Sequence, residues 1–334
     1  MPSSPETPGT AGTLTDSASR TPPVPSPSDR RRGLLLGLLG VLAFSGTLPA
    51  TRLAVAHLDP VFVGLGRALV AAVLAAAVLL ATRSPWPARS AWPRLALVAA
   101  GVVVGWPVLS AFAMRHVPAA HGAVVSGLLP LATALAGAWF AHERPSRRFW
   151  ICALFGSAVV VAFALWEGGG APQPADLLLV GAVAAAAIGY AEGARLARTM
   201  GGWQVICWVL VLSAPFLVVP TVLASDARIL AAPWPAWAGF AYVATISMFL
   251  GFFAWYRGLA LGGIAAVGQT QLLQPFFTIF ASAWLLGEPV GPATFVAAGL
   301  VVAAIALGRR DPAGVASDPG VRPALPRTPG RPRP

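Results

Sequence analysis

Twice the chain carries one helical stretch, first as Gly127-Leu-Leu-Pro130-Leu-Ala-Thr133-Ala-Leu-Ala-Gly-Ala-Trp139-Phe-Ala-His-Glu143 and again as Leu272-Leu-Gln274-Pro275-Phe-Phe-Thr278-Ile-Phe-Ala-Ser-Ala-Trp284-Leu-Leu-Gly-Glu288. At a constant offset of 145, the two copies match at Pro130 and Pro275, Thr133 and Thr278, Ala138 and Ala283, Trp139 and Trp284, and Glu143 and Glu288. Each copy predicts an apolar helix with an internal proline and a terminal glutamate. The repetition indicates that one helical module was duplicated.

The composition is that of a membrane protein. The 334 residues are 57% hydrophobic and 10% charged, with a mean hydropathy of +0.72. Soluble domains carry roughly 25% charged residues, so this chain has too little polar surface to solvate a globule. Its apolar residues form long blocks separated by short polar breaks, which is typical of a protein that crosses the bilayer several times.

The net charge of +11 does not indicate nucleic-acid binding. All 23 basic residues are arginines, and most lie in loops and tails next to apolar blocks. This pattern is typical of charges that orient a membrane protein. Cys152 and Cys207 lie inside apolar blocks, where they have neither disulfide nor metal-site spacing, and we interpret them as small buried hydrophobes.

The chain divides into two disordered tails and two apolar halves. Residues 1–32 and 311–334 are rich in Pro, Ser, Thr or Arg and are predicted to be disordered cytoplasmic tails, and the first is not a signal peptide. Residues 33–166 and 172–310 are predicted to form one five-helix repeat each. Ten apolar blocks, each near the roughly 20 residues that span a bilayer, lie at about 34–54, 61–81, 94–113, 119–141, 149–166, 175–197, 204–224, 236–255, 264–286 and 291–308.

The arginines predict the orientation. Alternate loops hold most of them, namely Arg30, Arg31, Arg32, Arg83, Arg89, Arg94, Arg144, Arg147, Arg148, Arg195, Arg198, Arg257, Arg309 and Arg310. The other loops hold few, namely Arg52, Arg115 and Arg228. The positive-inside rule therefore predicts that both termini are cytoplasmic and that the chain lies in the cell membrane.

The same orientation predicts that the two halves are inverted. The loop after the fourth block, 143–148, contains three arginines, whereas its counterpart after the ninth, 288–292, contains none. A second match supports the repeat, because Gly46, Arg52, Leu53 and Ala54 correspond to Gly189, Arg195, Leu196 and Ala197 at an offset of 143, as Gly156 does to Gly299. Inverted repeats that share a site at the bilayer midplane are common in secondary transporters.

These residues resemble the EamA-type branch of the drug/metabolite transporter superfamily. The resemblance rests on Ala113-Met-Arg-His-Val-Pro118-Ala-Ala-His-Gly-Ala, the mid-helix Pro130, Glu143 and Gly156, and their second copy through Pro275, Glu288 and Gly299, and it covers about 33–308. It implies an all-α integral membrane protein with ten transmembrane helices in two inverted five-helix repeats. It also implies a central cavity and transport of small metabolites, often export of amino acids or related solutes. One departure is the glycine-rich segment 257–264, which leaves the end of the eighth helix undefined.

Arg67 is the clearest candidate for solute binding. It lies roughly 9 Å into the second helix at 1.5 Å per residue, at a position where the family commonly has an arginine. A charge at that depth is costly. It could contact an anionic group such as a carboxylate, or it could snorkel or pair internally, and both interpretations stay open.

Glu192 is the acid that lies well inside an apolar block, near Tyr190. A buried carboxylate can carry a proton, which suits coupling to H⁺ or recognition of a cation. The alternative is an ion pair with Arg195, three residues later on the helix, and we favour that alternative. Trp106, Tyr190, Tyr242, Trp255 and Tyr256 are aromatic residues that could face a pore.

A polar stripe follows the ninth helix. Gln271, Gln274, Thr278 and Ser282 share one face, and Ser126 and Thr133 repeat part of it in the fourth helix. Polar faces in membrane helices turn inward, so we expect them to line a cavity between these helices, with helix–helix hydrogen bonding as the competing interpretation. Pro130 and Pro275 are expected to matter as helix breaks, because each removes a backbone donor.

The sequence therefore predicts a gradient-driven transporter that works by alternating access, with a small-molecule solute and the lipid bilayer as partners. The alternatives are a multidrug or cation efflux carrier and, ranked below it, a membrane-embedded enzyme or a scaffold. No catalytic motif, metal-ligand set, cofactor motif or nucleotide-binding motif is evident. A coupling ion, H⁺ or another, and a homodimer stay open as partners.

Overall fold

The computed structural model describes residues 26–140, 146–168, 174–225, 227–287 and 291–308. Within these ranges the chain is helical and contains no strand. The two glutamates that end the repeated stretch, Glu143 and Glu288, and most of both predicted tails lie outside the described residues.

The described helices group into ten consecutive runs, named here α1 to α10, which coincide with the ten apolar blocks. The first five are α1 (Pro27–Ser45 and Thr47–Val55), α2 (Pro60–Ala81), α3 (Arg89–Ala91, Trp92–Val98, Ala99–Gly105 and Trp106–His116), α4 (Ala119–Val125, Ser126–Leu128 and Leu129–Phe140) and α5 (Arg147–Gly168). The second five are α6 (Pro174–Met200), α7 (Gly202–Leu223), α8 (Trp234–Tyr242, Val243–Leu250 and Gly251–Gly262), α9 (Ile264–Gly268, Gln269–Leu273 and Gln274–Leu286) and α10 (Pro292–Gly308). A short 3₁₀ turn, Ala227–Ala231, precedes α8.

Seven runs in the described part of the chain are long and apolar enough to cross a membrane: α1, α2, α3, α4, α6, α7 and α8. Helix α10 is not among these seven because it is short. Its 17 residues lie at the lower end of the roughly 17–25 residues that a spanning helix needs. The architecture is that of an all-α membrane protein, as the sequence predicts.

Polar caps set where the first two helices begin. Ser26 accepts a hydrogen bond from the backbone N–H of Asp29 at 3.1 Å, and Pro27 fixes the first turn, so α1 includes residues 27–32 of the predicted tail. Asp59 accepts from the N–H of Val61 at 2.7 Å in the same way, and Pro60 follows it at the start of α2.

Proline explains matching interruptions in α4 and α9. Pro130 and Pro275 have no N–H, so the carbonyls four residues earlier lose their usual partner. The N–H before each proline donates instead, from Leu129 to the carbonyl of Ser126 and from Gln274 to that of Gln271. Both stretches tighten into 3₁₀ helix before the proline, so the sequence predicted the site of these breaks correctly.

The other matched pair of interruptions is π-helical. In α3 the N–H of Trp106 donates to the carbonyl of Gly101, and in α8 the N–H of Gly251 donates to that of Ile246, each five residues back. Pro107 accompanies the interruption in α3, but no proline accompanies the one in α8. A π turn rotates the side chains that follow it around the helix axis relative to a regular α-helix. Both halves of the chain contain such a turn at equivalent positions.

The end of α8, which the sequence left undefined, is set by glycine. Helix α8 ends at Gly262, and Gly263 has a φ of 86°, which L side chains rarely adopt. The junction is also crowded, because a Cβ on Gly33 of α1 would lie 2.6 Å from the backbone nitrogen of Gly262. Small residues let membrane helices approach this closely.

Candidate functional site

A cavity lies between helices of both halves of the chain. The space between its side chains, including the part open to solvent, is about 320 Å³. Five helices contribute besides α2, which supplies Arg67; the lining residues are Phe44, Thr47, Arg67, Val102, Trp106, Tyr190, Ser247, Phe252 and Gln274. The cavity is therefore shared by the two repeats, as the family resemblance implies, but no described residue of α4 lines it, although we expected the cavity between α4 and α9.

Arg67 is buried in this cavity, and none of the described lining residues carries a compensating negative charge. Its side chain is 2% exposed, and its Nε has no hydrogen-bond partner among the described residues. Tyr190 is close enough to interact with its guanidinium electrostatically. No carboxylate lines the described cavity. A buried cation is costly unless it is paired, so the position favours an anionic group from outside the chain.

Besides the Tyr190 hydroxyl and the Trp106 indole, two aliphatic hydroxyls and one amide belong to the lining. The hydroxyls of Thr47 and Ser247 are joined by a hydrogen bond of 2.8 Å, which links α1 to α8. Gln274 is 5% exposed, and its Oε1 has no partner in the described part of the chain. The cavity thus offers an unpaired donor at Arg67 and an unpaired acceptor at Gln274.

Aromatic rings form one wall. Phe44 lies 6.3 Å from Tyr190 in a stacked arrangement and 5.0 Å from Phe252, measured between ring centroids. Behind them, the ring of Trp255 packs edge-on against Tyr190 at 5.3 Å. Such ring pairs add about 0.5–1.5 kcal/mol beyond the area that they bury, so the wall is a well-packed apolar surface next to the polar groups.

The repeat places lining residues in equivalent pairs. Thr47 in α1 and Tyr190 in α6 are separated by 143 residues, and Val102 in α3 and Ser247 in α8 by 145. Val102 and Ser247 lie within the two π-helical stretches. Arg67 and Gln274 break the pattern, because leucines occupy the equivalent positions 210 and 129.

Three of the predicted site residues meet at this cavity: Arg67, Tyr190 and Gln274. The rest of the predicted α4 and α9 residues are buried outside its lining: Ser126, Pro130, Thr133, Gln271, Pro275 and Thr278. Thr133 Oγ1 donates to Gln271 Oε1 at 3.2 Å, and Ser126 Oγ donates to the carbonyl of Gly122. These polar groups join α4 to α9 or bond within their own helix, which was the competing interpretation.

Glu192 also lies outside the cavity lining. It is 2% exposed, and its Oε1 accepts a hydrogen bond from Nη1 of Arg195 at 2.7 Å. The pair is the alternative favoured from the sequence. Its Oε2 is buried and has no partner among the described residues.

Sequence reasoning missed five lining residues: Phe44, Thr47, Val102, Ser247 and Phe252. It did pick out Trp106 as a pore-facing aromatic. The repeat contained a usable signal, since Tyr190 points to Thr47 at the offset of 143. No comparable signal marks Phe44 or Phe252, whose role comes from ring packing across three helices.

Comparison with known proteins shows the same division into two halves. The model of the EamA-like transporter family matches residues 31–165 and again residues 173–308. A Bacillus subtilis (strain 168) protein described as the uncharacterized transporter YdeK is 47% identical over 278 residues, which is 83% of this chain and 97% of that protein.

Two further matches are more distant. A probable terminal-alkyne amino-acid exporter of Streptantibioticus cattleyicolor is 27% identical over 294 residues, covering 85% of this chain and 97% of that protein. A solved crystal structure with 18% sequence identity superposes with a TM-score of 0.68 and covers 83% of this chain and 97% of its own. At that identity the superposition shows a shared fold.

Proposed function

The chain belongs to the EamA-like transporter family, and we propose that it exports amino acids or related solutes that carry a carboxylate, by gradient-driven alternating access. One observation carries the proposal: Arg67 is a buried guanidinium in the shared cavity, with no carboxylate beside it among the described residues. A planar guanidinium binds a carboxylate through two parallel hydrogen bonds. A solute carboxylate would supply the charge that the cavity lacks.

The remaining polar groups suit an amino acid. An amino acid brings an acceptor group, its carboxylate, and a donor group, its ammonium. The cavity offers the complementary set, since Arg67 is a donor without a partner and Gln274 Oε1 is an acceptor without a partner. The wall of Phe44, Tyr190 and Phe252 would contact an apolar side chain. The amino-acid exporter among the relatives is consistent with this substrate class.

A carrier of drug-like cations is the alternative, and the cavity suits it less well. Aromatic rings attract cations, and the wall would serve that purpose. However, the lining contains Arg67 and no acid in the described residues. A cationic solute would be repelled at short range without a carboxylate to offset the repulsion.

The arginine distribution supports an orientation with both termini in the cytoplasm of the cell. In that orientation the junctions between α3 and α4 and between α5 and α6 face outward, and the junction between α8 and α9 faces inward. The chain has no nucleotide-binding motif, so we assign the driving force to a solute or ion gradient.

The test compares solutes inside and outside cells that overproduce the wild type, Arg67→Leu or Arg67→Lys. We expect the wild type to enrich one or more amino acids in the medium. Arg67→Leu should lower the export rate at least about thirtyfold, because truncating one partner of a buried charged contact costs roughly 2–5 kcal/mol. Arg67→Lys keeps the positive charge but loses the planar guanidinium that donates two parallel hydrogen bonds. Its export rate should therefore lie between those of the wild type and Arg67→Leu.

Arg115→Leu is the matched control. This arginine is exposed at the end of α3, so its replacement should leave export within about twofold of the wild type, as surface substitutions usually do. If Arg67→Leu exports the same solutes at the wild-type rate, Arg67 does not bind the solute. Enrichment of cationic drugs in place of amino acids would favour the alternative carrier.

A further inference from the structure

Two arginines at equivalent positions of the repeats have different partners. Arg52 in α1 and Arg195 in α6 are separated by 143 residues. Nη1 of Arg52 donates to the carbonyls of Met114, at 3.1 Å, and of Val117. Both carbonyls belong to the junction where α3 ends and α4 begins. Arg52 therefore fastens α1 to that junction.

Arg195 makes no such contact. Its Nη1 donates to Glu192 Oε1 on its own helix, and no hydrogen bond joins it to the junction between α8 and α9 in the described chain. Glu192 has no counterpart in the first repeat, where the equivalent residue is Pro49. The first repeat folds without an acid at this position, so the carboxylate is specific to the second repeat.

At both junctions the last N–H of the turn donates to the carbonyl four residues earlier, although Val117 is extended and Gly263 has a φ of 86°. The N–H of Val117 donates to the carbonyl of Ala113 at 3.1 Å, and the N–H of Gly263 donates to that of Leu259 at 3.1 Å. Because consecutive helices alternate in direction, the α3–α4 and α8–α9 junctions lie at opposite ends of the bundle. The carbonyls that Arg52 uses at one end therefore have counterparts at the other end.

The α8 counterparts are near Arg195. A Cβ on Gly193, two residues before Arg195, would strike the ring of Tyr256 in α8, one turn before Leu259. Past Arg195, a Cβ on Gly202 would lie 2.7 Å from the backbone nitrogen of Arg257. The last turns of α6 thus run along the last turns of α8, beside the junction. The side chain of Arg195 is 29% exposed, so it has room to change partners.

A second polar contact distinguishes the two ends. His121 Nε2 and Asp176 Oδ1 are 2.6 Å apart, which ties α4 of the first repeat to α6 of the second at the α3–α4 end. The equivalent positions at the other end are Ala266 and Gly33, which carry no charge. Within the described chain, the His121–Asp176 contact therefore has no counterpart between the equivalent positions at the other end.

We propose that Arg52 and Arg195 are alternating clamps for the two ends of the transport path, and that Glu192 is the positioning residue that holds Arg195 away from its clamp position. In the present conformation Arg52 is engaged and its end is closed. In the opposite conformation Arg52 releases the α3–α4 junction, and Arg195 leaves Glu192 for the carbonyls of the α8–α9 junction. This inference rests on the proposed alternating access, but it assigns the switching residues without reference to a substrate.

The test measures access to the cavity from each side of the membrane. Cys152 and Cys207 are replaced by alanine, and Ser247→Cys places one reporter thiol in the cavity of the full chain. A membrane-impermeant methanethiosulfonate reagent is then applied to right-side-out and to inside-out vesicles. The modification rate on each side reports how often that end is open.

We expect variants of the two clamps to change the modification rate at opposite ends of the transport path. Arg52→Ala should raise the modification rate from the α3–α4 side at least about tenfold, the effect of losing one hydrogen bond from a charged group. Glu192→Gln frees Arg195 to engage, so it should lower the rate from the α8–α9 side by about the same factor. Arg115→Ala and Arg257→Ala, which remove exposed arginines at the same two ends, should leave both rates within about twofold.

A double variant separates the clamp from a structural effect. If Glu192 acts through Arg195, Glu192→Gln should have no effect in an Arg195→Gln background, because the clamp is already absent. Should Arg52→Ala or Glu192→Gln fail to yield monodisperse protein, Arg52→Lys and Glu192→Asp should shift the same rates in the same directions by less.

Two results would overturn the proposal: an effect of Glu192→Gln that persists without Arg195, or rates that do not change at opposite ends. The assay needs no solute, so its outcome is separate from that of the export experiment. Opposite shifts of the modification rate without amino-acid export would support the clamps and contradict only the proposed substrate. Amino-acid export without opposite shifts would support the substrate assignment and overturn the clamps.

Discussion

Two helix crossings at equivalent places in the repeats are built from different contacts. Gly46 of α1 faces α8, and Gly189 of α6, 143 residues later, faces α3. Both partner helices are π-helical nearby. At the first crossing a Cβ on Gly46 would meet the hydroxyl of Tyr242 at 2.5 Å. At the second, a Cβ on Gly189 would lie 2.6 Å from Cγ1 of Val102 and 3.2 Å from its backbone nitrogen.

The difference shows which features the repeats share. They share the crossing glycine and the π turn, which set the path of the backbone. They differ in what fills the crossing, because α1 meets the ring of Tyr242, whose hydroxyl donates to the carbonyl of Ala43 at 3.0 Å, whereas α6 meets the short side chain of Val102 and the backbone beside it. The residue after each glycine, Thr47 or Tyr190, reaches the cavity in both cases. The backbone of the site is therefore symmetric, and its chemistry is not.

Substitution at the glycines should give the largest effect. A Cβ on Gly101 would fall against the carbonyl oxygen of Ala185 and within 3.1 Å of the backbone of Gly189. Backbone atoms cannot move aside locally, so Gly101→Ala should destabilise the protein by about 1–3 kcal/mol. Gly46→Ala meets the far end of the Tyr242 side chain, which can rotate, and should cost clearly less. Thermal unfolding in detergent measures both, with Gly181→Ala as the control, since its Cβ would meet only Leu109 Cδ1 at 3.3 Å. Equal losses at Gly101 and Gly46 would contradict the comparison.

An intermediate effect is expected at position 274, where Gln274→Leu gives the second repeat the residue of the first. Gln274 corresponds to Leu129, so Gln274→Leu removes the unpaired acceptor but keeps the size of the side chain. We expect the concentration of amino acid needed for half-maximal export to rise about fivefold, the equivalent of one lost hydrogen bond. The maximal rate should change little. An unchanged half-maximal concentration would show that Gln274 does not contact the solute.

The smallest effect is expected where α4 meets α9. Thr133→Val removes the hydrogen bond to Gln271 and should destabilise the protein by about 0.6 kcal/mol, the average for such contacts between membrane helices. Thr278→Val makes the same substitution at the equivalent position of the second repeat, for which the described residues show no side-chain hydrogen bond to α4. Thermal unfolding should therefore separate the two variants while export stays near the wild-type rate for both. If Thr133→Val lost export and Thr278→Val did not, the Thr133–Gln271 contact would be part of the solute path after all.

Much of the fold could be predicted because it depends on local chemistry. Apolar blocks of near-spanning length predict helices in a bilayer regardless of what they pack against. Pro130 and Pro275 predict breaks because the missing N–H is a property of the residue itself. The π turn in α8 escaped prediction, because no proline marks it and its cause lies in packing.

The candidate site was predictable only in part. Arg67 stands out because a charge deep in an apolar block is rare. Glu192 stands out for the same reason, yet it proved to pair with Arg195. The stripe in α9 was assigned to one face at ideal helical spacing, but the 3₁₀ stretch before Pro275 changes that spacing. As a result Gln274 reaches the cavity, whereas Gln271 bonds Thr133.

The sequence by itself determined the helices, the duplication and the family, because each follows from the order of residues within about 20 positions or from a constant offset. The tertiary structure decided which side chains share the cavity and that Arg52 and Arg195, at equivalent positions, have different partners. Arg67, Tyr190 and Gln274 lie far apart along the chain and meet only through the crossing of helices from both repeats. The direction in which a helical residue points depends on the rotation and tilt of the whole helix, and packing against its neighbours sets both.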